Sequence, residues 1–427
     1  MYLKGSKWSM NRRRRPVNWF RVVFWGLLAL ALFYVNQVVV PEIPPIGQPT
    51  ATPTRSAESY VTEAEKYFQE GKLLQAIDAY EQAIRSNPND VTIYIALARV
   101  QVFAGQYQEA HKNADYAILK QAENSMAHAI RAWALDYEGD YLAAEASIKR
   151  ALELDPNNGI AHAYYAEILV DAYLAGTGPL NSIERAAEAS RTALALAPNT
   201  IEAHQARGYV LEVTANYEEA IREYQAAINI NGNIPSLYLA LGRNYRALGI
   251  YDQAVDAFTR ADALNPADPT PNLLIARTYA TIGEYAKAVQ YAEQAVKDSP
   301  ADPRLRGALG VMYYKNAKFP EAIQQLTLTI NGGTTEDGQK ITGLTLVSDD
   351  LRLAEYYYTY GLALARTSRC GEALPVAQLI QATIPGDEIA VANAKEIIKI
   401  CEQNLNVTPS PTLEAPVTEI TTATPTP

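Results

Sequence analysis

Four histidines and two cysteines are the side chains of this chain best suited to hold a metal or carry a reaction: His111, His128, His162, His204, Cys370 and Cys401. A zinc site needs three or four such groups converging on one ion. His128, His162 and His204 instead stand 34 and 42 residues apart, intervals that belong to a longer period in the chain. Other chemistry is missing from the sequence. The segment "AGTGPLNS" lacks the Gly-Lys-Ser/Thr ending of a phosphate-binding loop, and neither G-x-S-x-G nor H-E-x-x-H occurs. We therefore read a non-enzyme, with no cofactor and no metal.

The period that spaces the histidines runs through most of the chain. Alanines recur at Ala76, Ala110, Ala144, Ala186, Ala220, Ala254, Ala288, Ala322 and Ala373, and six of the eight intervals are 34 residues. Twelve residues earlier stands a second small residue: Ala64, Ala98, Ala132, Gly208, Gly242, Ala276, Gly310 or Gly361. Small residues let two helices cross closely. Three residues before most of the alanines an aromatic (Tyr107, Tyr141, Tyr217, Tyr251, Tyr285, Phe319) plugs a hairpin turn, and a proline such as Pro88, Pro156, Pro198, Pro266 or Pro300 stops the second helix. In "YDQAVDAFTRADALNP", Tyr251 closes the hairpin, Ala254 and Ala261 permit contact, Phe258 fills the space and Pro266 ends the helix.

A 34-residue helix–turn–helix unit with these offsets resembles the tetratricopeptide repeat (TPR) family. The resemblance implies an all-α fold: a right-handed α-solenoid of about nine units over residues 57–387, closed by a capping helix at 388–404. Two units depart from the period. One carries an insertion near 171–181, around the hairpin turn. The other carries a longer one near 331–349, where Asp337–Gly338 between Thr and Ile residues predicts a small hairpin. Such insertions are either functional loops or decoration.

The resemblance also places a partner-binding groove on the first helix of each unit. Its positions hold Arg243, Arg246, Arg277 and Arg304 in the sixth to eighth units, and Glu167, Glu202, Tyr209 and Glu212 in the fourth and fifth. A groove sorted by charge favours binding, and the arginines suit an acidic peptide or protein segment. The lysine and asparagine clamp by which some family members hold a chaperone's C-terminal carboxylate is absent, its positions holding Glu65, Arg99 and Trp133. The three periodic histidines fall where the family often has Trp or Tyr, and so read as packing residues.

The ends speak to location. Residues 1–21 carry Lys4, Lys7, Arg12 to Arg15 and Arg21 with no acid, ahead of the uncharged run Val22–Val40. Nineteen such residues span roughly one hydrocarbon core as a helix, and the basic side stays cytoplasmic. The sequence therefore predicts a cytoplasmic segment 1–21, a single-pass transmembrane signal anchor 22–40, a Pro/Thr-rich linker 41–56, an extracytoplasmic array and a disordered Thr/Pro-rich tail 405–427. The alternative, a cleaved signal peptide, lacks an A-x-A site. Against a net charge of −10 overall, the chain beyond the basic segment is acidic, which argues against nucleic acid. Two roles fit: an envelope scaffold that binds a protein or peptide, or a spacer whose tail makes the contacts, with an accessory subunit of an envelope enzyme as a third.

Cys370 takes the turn position that Tyr or Phe fills in earlier units, and Cys401 lies near the end of the capping helix. Both fall on one rim of the solenoid, so an exported array predicts a disulfide between them.

Overall fold

The structure is a computed structural model that describes residues 18–35, 37, 55–335 and 338–406. The basic segment up to residue 17, most of the linker and the tail beyond residue 406 lie outside the described residues, and the chain divides into one unit ending at Arg55 and a second beginning at Ser56.

The first unit contains helix α1 (Trp19–Tyr34), 16 residues long. Among the described residues no helix is long and apolar enough to cross a membrane, so the expected transmembrane helix over Val22–Val40 is not seen there. Asn36 and residues 38–40 of that run lie outside the described residues.

The second unit is an all-α solenoid. Its hairpins pair α2 (Ala57–Gln69) with α3 (Leu73–Ser86), α4 (Val91–Phe103) with α5 (Tyr107–Lys120), α6 (Ser125–Tyr137) with α7 (Tyr141–Leu154), and α8 (Gly159–Leu174) with α9 (Ser182–Leu196). They continue with α10 (Ile201–Val213) and α11 (Tyr217–Ile230), α12 (Pro235–Ala247) and α13 (Tyr251–Leu264), and α14 (Thr270–Thr281) and α15 (Tyr285–Asp298). The last pairs are α16 (Pro303–Lys315) with α17 (Phe319–Asn331) and α18 (Leu351–Arg366) with α19 (Cys370–Thr383), and α20 (Glu388–Asn406) packs on both helices of that final pair.

Local chemistry sets the helix ends. First helices begin behind side chains that accept a backbone N–H: Asp90 from Thr92, Asn124 from Ala127, Asn158 from Ala161, Thr200 from Ala203 and Asp302 from Arg304. Each periodic aromatic is the first residue of a second helix, as Tyr251 is of α13. The small residues sit where a side chain has no room. A Cβ on Gly242 would come within 2.5 Å of the Phe258 ring, and one on Gly310 within 2.5 Å of Leu326. Phe258, Ala254 and Ala261 are fully buried. Removing the Phe258 ring from that site would cost about 3–5 kcal/mol.

First helices pack on the next first helix, α6 on α8, α8 on α10 and α16 on α18, whereas second helices pack chiefly on their neighbours in sequence. The array therefore curves with its first helices inside. The curvature brings the α2–α3 turn back against the α11–α12 turn, where Asn231 Nδ2 donates to the Phe68 carbonyl at 3.2 Å and Asn233 Nδ2 to the Gln69 carbonyl at 2.8 Å.

The two insertions take different forms. The first lengthens α8 and the turn that follows it. The second folds as an antiparallel hairpin of β1 (Gly333–Thr334) and β2 (Lys340–Ile341), then runs back over the array with Ile341 and Leu346 buried.

Candidate binding groove

The inner face of the array divides into a buried polar network and an open cationic pocket. The network occupies α4 to α12. Glu202 on α10 is buried and accepts from Arg99 Nε on α4 at 2.5 Å, and the Arg99 guanidinium lies over the rings of Phe68 and Phe103. Glu167 on α8 is also buried, and accepts from Trp133 Nε1 at 2.8 Å and Gln205 Nε2 at 3.0 Å. Tyr209 donates to Asp171. Glu212 accepts from Arg243 Nε at 2.8 Å, from Tyr224 at 3.0 Å and from Asn244 at 3.1 Å.

Glu167, Glu202, Tyr209 and Glu212, expected at the binding surface, thus all have partners inside the chain, while Glu167 and Tyr209 also line a cavity of about 280 Å3 with Asp171, Gln205 and Arg243. The physical reason is curvature: the first helices converge so tightly that one unit's groove position meets the next unit's, as Trp133 meets Glu167, and even that of a unit three further on, as Arg99 meets Glu202. The residues at the clamp positions take part as well, Arg99 and Trp133 in these bonds and Glu65 as acceptor for Tyr80. Burial pushes the Glu167 carboxyl up to about 8. Asp136, behind it on α6, is raised by burial and then by its neighbours Asp171 and Glu167.

The cationic pocket lies further along, a cavity of about 270 Å3 among α12, α14, α16 and α18. Of the four predicted arginines, Arg246 and Arg277 line it. Arg243 is bound to Glu212, and Arg304 pairs with Asp350 at 2.7 Å. Asp350 comes from the end of the second insertion, a partner the 34-residue period could not anticipate. Lys315 and Arg352 also line the pocket and were missed in the sequence. Lys315 sits one residue beyond the last groove position. Arg352 precedes the period-defined start of its unit, because α18 begins a turn early.

Among the described residues no carboxylate lies within ion-pair distance of Arg246 or Arg277. The pocket's acid, Glu355, is bonded to Arg352 at 3.2 Å. Burial, then the neighbouring guanidinium groups, holds Arg246 and Arg277 below the usual arginine range. Tyr356 forms part of the wall, and Gly307 makes room for it: a Cβ there would meet its ring at 2.5 Å.

The histidines have a different task. His128, His162 and His204 each place Nε2 2.9 Å from the carbonyl oxygen six residues earlier, of Ala122, Pro156 and Pro198. Tyr94 and Tyr238 make the same bond from the same repeat position, to Pro88 and Gly232. The position therefore fastens the loop between units. Among the described residues no three His, Cys, Asp or Glu side chains are placed to hold one metal ion. Cys370 and Cys401 form the predicted disulfide, their Cα atoms 5.5 Å apart, at the start of α19 and near the end of α20.

Family profiles described as TPR repeat and tetratricopeptide repeat match residues 64–102, 95–159, 131–172, 235–268 and 273–330. These segments are tetratricopeptide repeats. The matched segments include α4, α6 and α12 of the polar network and α12, α14 and α16 of the cationic pocket, whereas α10 and α18 lie outside them. No curated protein matches the chain. Among solved structures it is similar to the APC/C hetero-tetramer Cut9–Hcn1, at 17% identity over 68% of this chain and 53% of that one, with a TM-score of 0.47. It is also similar to a tetratricopeptide repeat protein from Parabacteroides merdae (16% identity, 60% and 99% covered, TM-score 0.39). PilW, a widely conserved type IV pilus biogenesis factor, is a third (23% identity, 48% and 90% covered, TM-score 0.42). The chain spans about half the length of the Cut9–Hcn1 chain it matches.

Proposed function

We propose that this chain is a non-enzymatic scaffold, anchored in a membrane by its N-terminal apolar run, whose array stands outside the cytoplasm and holds a protein or peptide partner on its inner face. Envelope assembly or surface organisation is the setting such an orientation suits. The observation that carries the reading is the cationic pocket: Arg246 and Arg277 are half-buried, have no carboxylate partner among the described residues, and face a cavity. Half-buried charges without counter-charges are unfavourable in a folded chain and mark a place where an anionic partner completes the structure. The N-terminal cation cluster followed by the uncharged run Val22–Val40 supports the anchor and its orientation.

The spacer reading draws on one observation, the engagement of Glu167, Glu202 and Glu212 by partners inside the chain. Crosslinking and pull-down from intact membranes separates the two. Charge reversal by Arg246→Glu with Arg277→Glu is expected to lose the captured partner, and unchanged capture leaves the spacer. Protease added to intact cells is expected to remove the array; an array that stays protected overturns the orientation.

A further inference from the structure

Arg246, Arg277, Lys315 and Arg352 come from four successive first helices, α12, α14, α16 and α18, yet close on one cavity of about 270 Å3. Four cations meet one carboxylate, Glu355, already bonded to Arg352. The rest of the wall is uncharged: Ala280, Thr281, Ala308, Val311, Met312 and Tyr356.

Convergence decides what kind of anion fits. An extended acidic segment presents its carboxylates one by one along a strand rising about 3.3 Å per residue, and would match cations set out in a row. A single carboxylate offers two oxygens and one charge, and leaves most of this cluster uncompensated. A phosphoryl group gathers close to two charges and three acceptor oxygens at one centre, and guanidinium forks grip such oxygens in pairs. A lipid headgroup would bring acyl chains that a cavity of this size cannot cover. We propose that the cavity receives the phosphoryl group of a phosphorylated side chain on the partner polypeptide, an inference that rests on the reading of the inner face as a polypeptide-binding groove.

Calorimetric titration of the full chain in detergent, at fixed ionic strength, tests this with phenyl phosphate and benzoate as matched probes. Phenyl phosphate is expected to bind at least about tenfold more tightly, and Arg277→Gln to lose about tenfold of that affinity, the equivalent of one charge-assisted contact. Arg277→Gln removes one of several crowded like charges, so a melting temperature equal to or above that of the unaltered chain is expected, with phenyl phosphate stabilising the unaltered chain more than the variant. Should that variant fail to fold, Lys315→Gln, at an exposed position, takes its place and is expected to weaken phenyl phosphate selectively. Equal affinity for the two probes, or phosphate affinity unchanged by either variant, overturns the proposal. Phosphatase treatment of the captured partner distinguishes this failure from that of the groove itself. Capture that survives phosphatase but is lost with Arg277→Glu removes the phosphoryl group and keeps the groove, whereas capture indifferent to Arg277→Glu removes both.

Discussion

Gly71 abuts the backbone of Asn233: a Cβ on the glycine would lie 2.8 Å from the Asn233 carbonyl oxygen, across more than four repeats of sequence. Together with the bonds from Asn231 to Phe68 and from Asn233 to Gln69, this contact clasps the first hairpin to the α11–α12 turn. A terminal repeat otherwise has one neighbour and frays. The clasp supplies a second.

Gly71→Ala is therefore expected to open the clasp, and Gly105→Ala supplies the control. Both glycines have left-handed backbones, φ +74° and +76°, but nothing lies within 4 Å of a Cβ on Gly105. Each variant carries the left-handed penalty of about 1–2 kcal/mol, and only Gly71→Ala adds the collision. Hydrogen exchange read by mass spectrometry should show faster exchange across α2 and α3 for Gly71→Ala than for Gly105→Ala. Equal protection in the two variants would mean that the contact holds nothing.

The same turn position elsewhere is occupied by residues that dislike it. Ala215, Ala317 and Ser368 have φ of 59°, 59° and 62°, where other units place glycine. Relief of that strain outweighs the extra freedom glycine has when unfolded. Ala317→Gly is expected to stabilise the array by about 0.5–1 kcal/mol, seen as a higher denaturant midpoint. A midpoint that falls would show that the alanine's own contacts matter more.

The repeat was legible because one unit's packing needs the same small and aromatic residues every 34 positions, and Gly242 against Phe258 shows why the period cannot drift. The disulfide was legible because Cys370 and Cys401 each occupy a defined repeat position. The groove was half legible. Helix periodicity assigns a face to Glu202 and Arg243, but it cannot say that curvature will bring Arg99 to Glu202 from 103 residues away, nor that the insertion will deliver Asp350 to Arg304. Those pairings depend on superhelical geometry and on a segment outside the period. Lys315 and Arg352 escaped for a related reason, since the groove template ends before one and begins after the other.

The Cys370–Cys401 bridge fastens α20 across a sequence separation of 31 residues. In the chain-entropy account such a loop is worth about 3–4 kcal/mol. Asn404 holds the same end more weakly, donating to the Ala365 carbonyl at 2.9 Å. Mass spectrometry of unreduced chain should find no alkylatable thiol. Reduction should then accelerate exchange in α19 and α20 while leaving α4 to α10 unchanged. Two thiols that alkylate freely before reduction would end this account.

The buried carboxyls of the inner network make stability depend on pH in an unusual direction. Glu167 is pushed up to about 8 from an ordinary 4.5, and Asp136 is raised by burial and by Asp171 and Glu167. Between the unfolded and folded values the folded chain holds protons that the unfolded chain has released. Stability from Glu167 is therefore fully present below about pH 4.5 and falls as pH rises toward 8, and that from Asp136 falls in the same sense above the ordinary aspartate value of 3.8, by at most about 1.4 kcal/mol per pH unit for each group. Trp133 and Gln205 donate to Glu167 and moderate the fall, whereas neither Asp136 oxygen has a strong donor among the described residues. Asp136→Asn replaces a carboxyl beside Asp171 with a neutral amide that can donate to it. We expect the variant to melt at the same temperature as the unaltered chain near pH 4, and higher at pH 8 by the equivalent of about 1 kcal/mol or more. Thermal melts across pH 4–8 measure the difference. Parallel curves for the two proteins would show that Asp136 stays ionised in the folded chain.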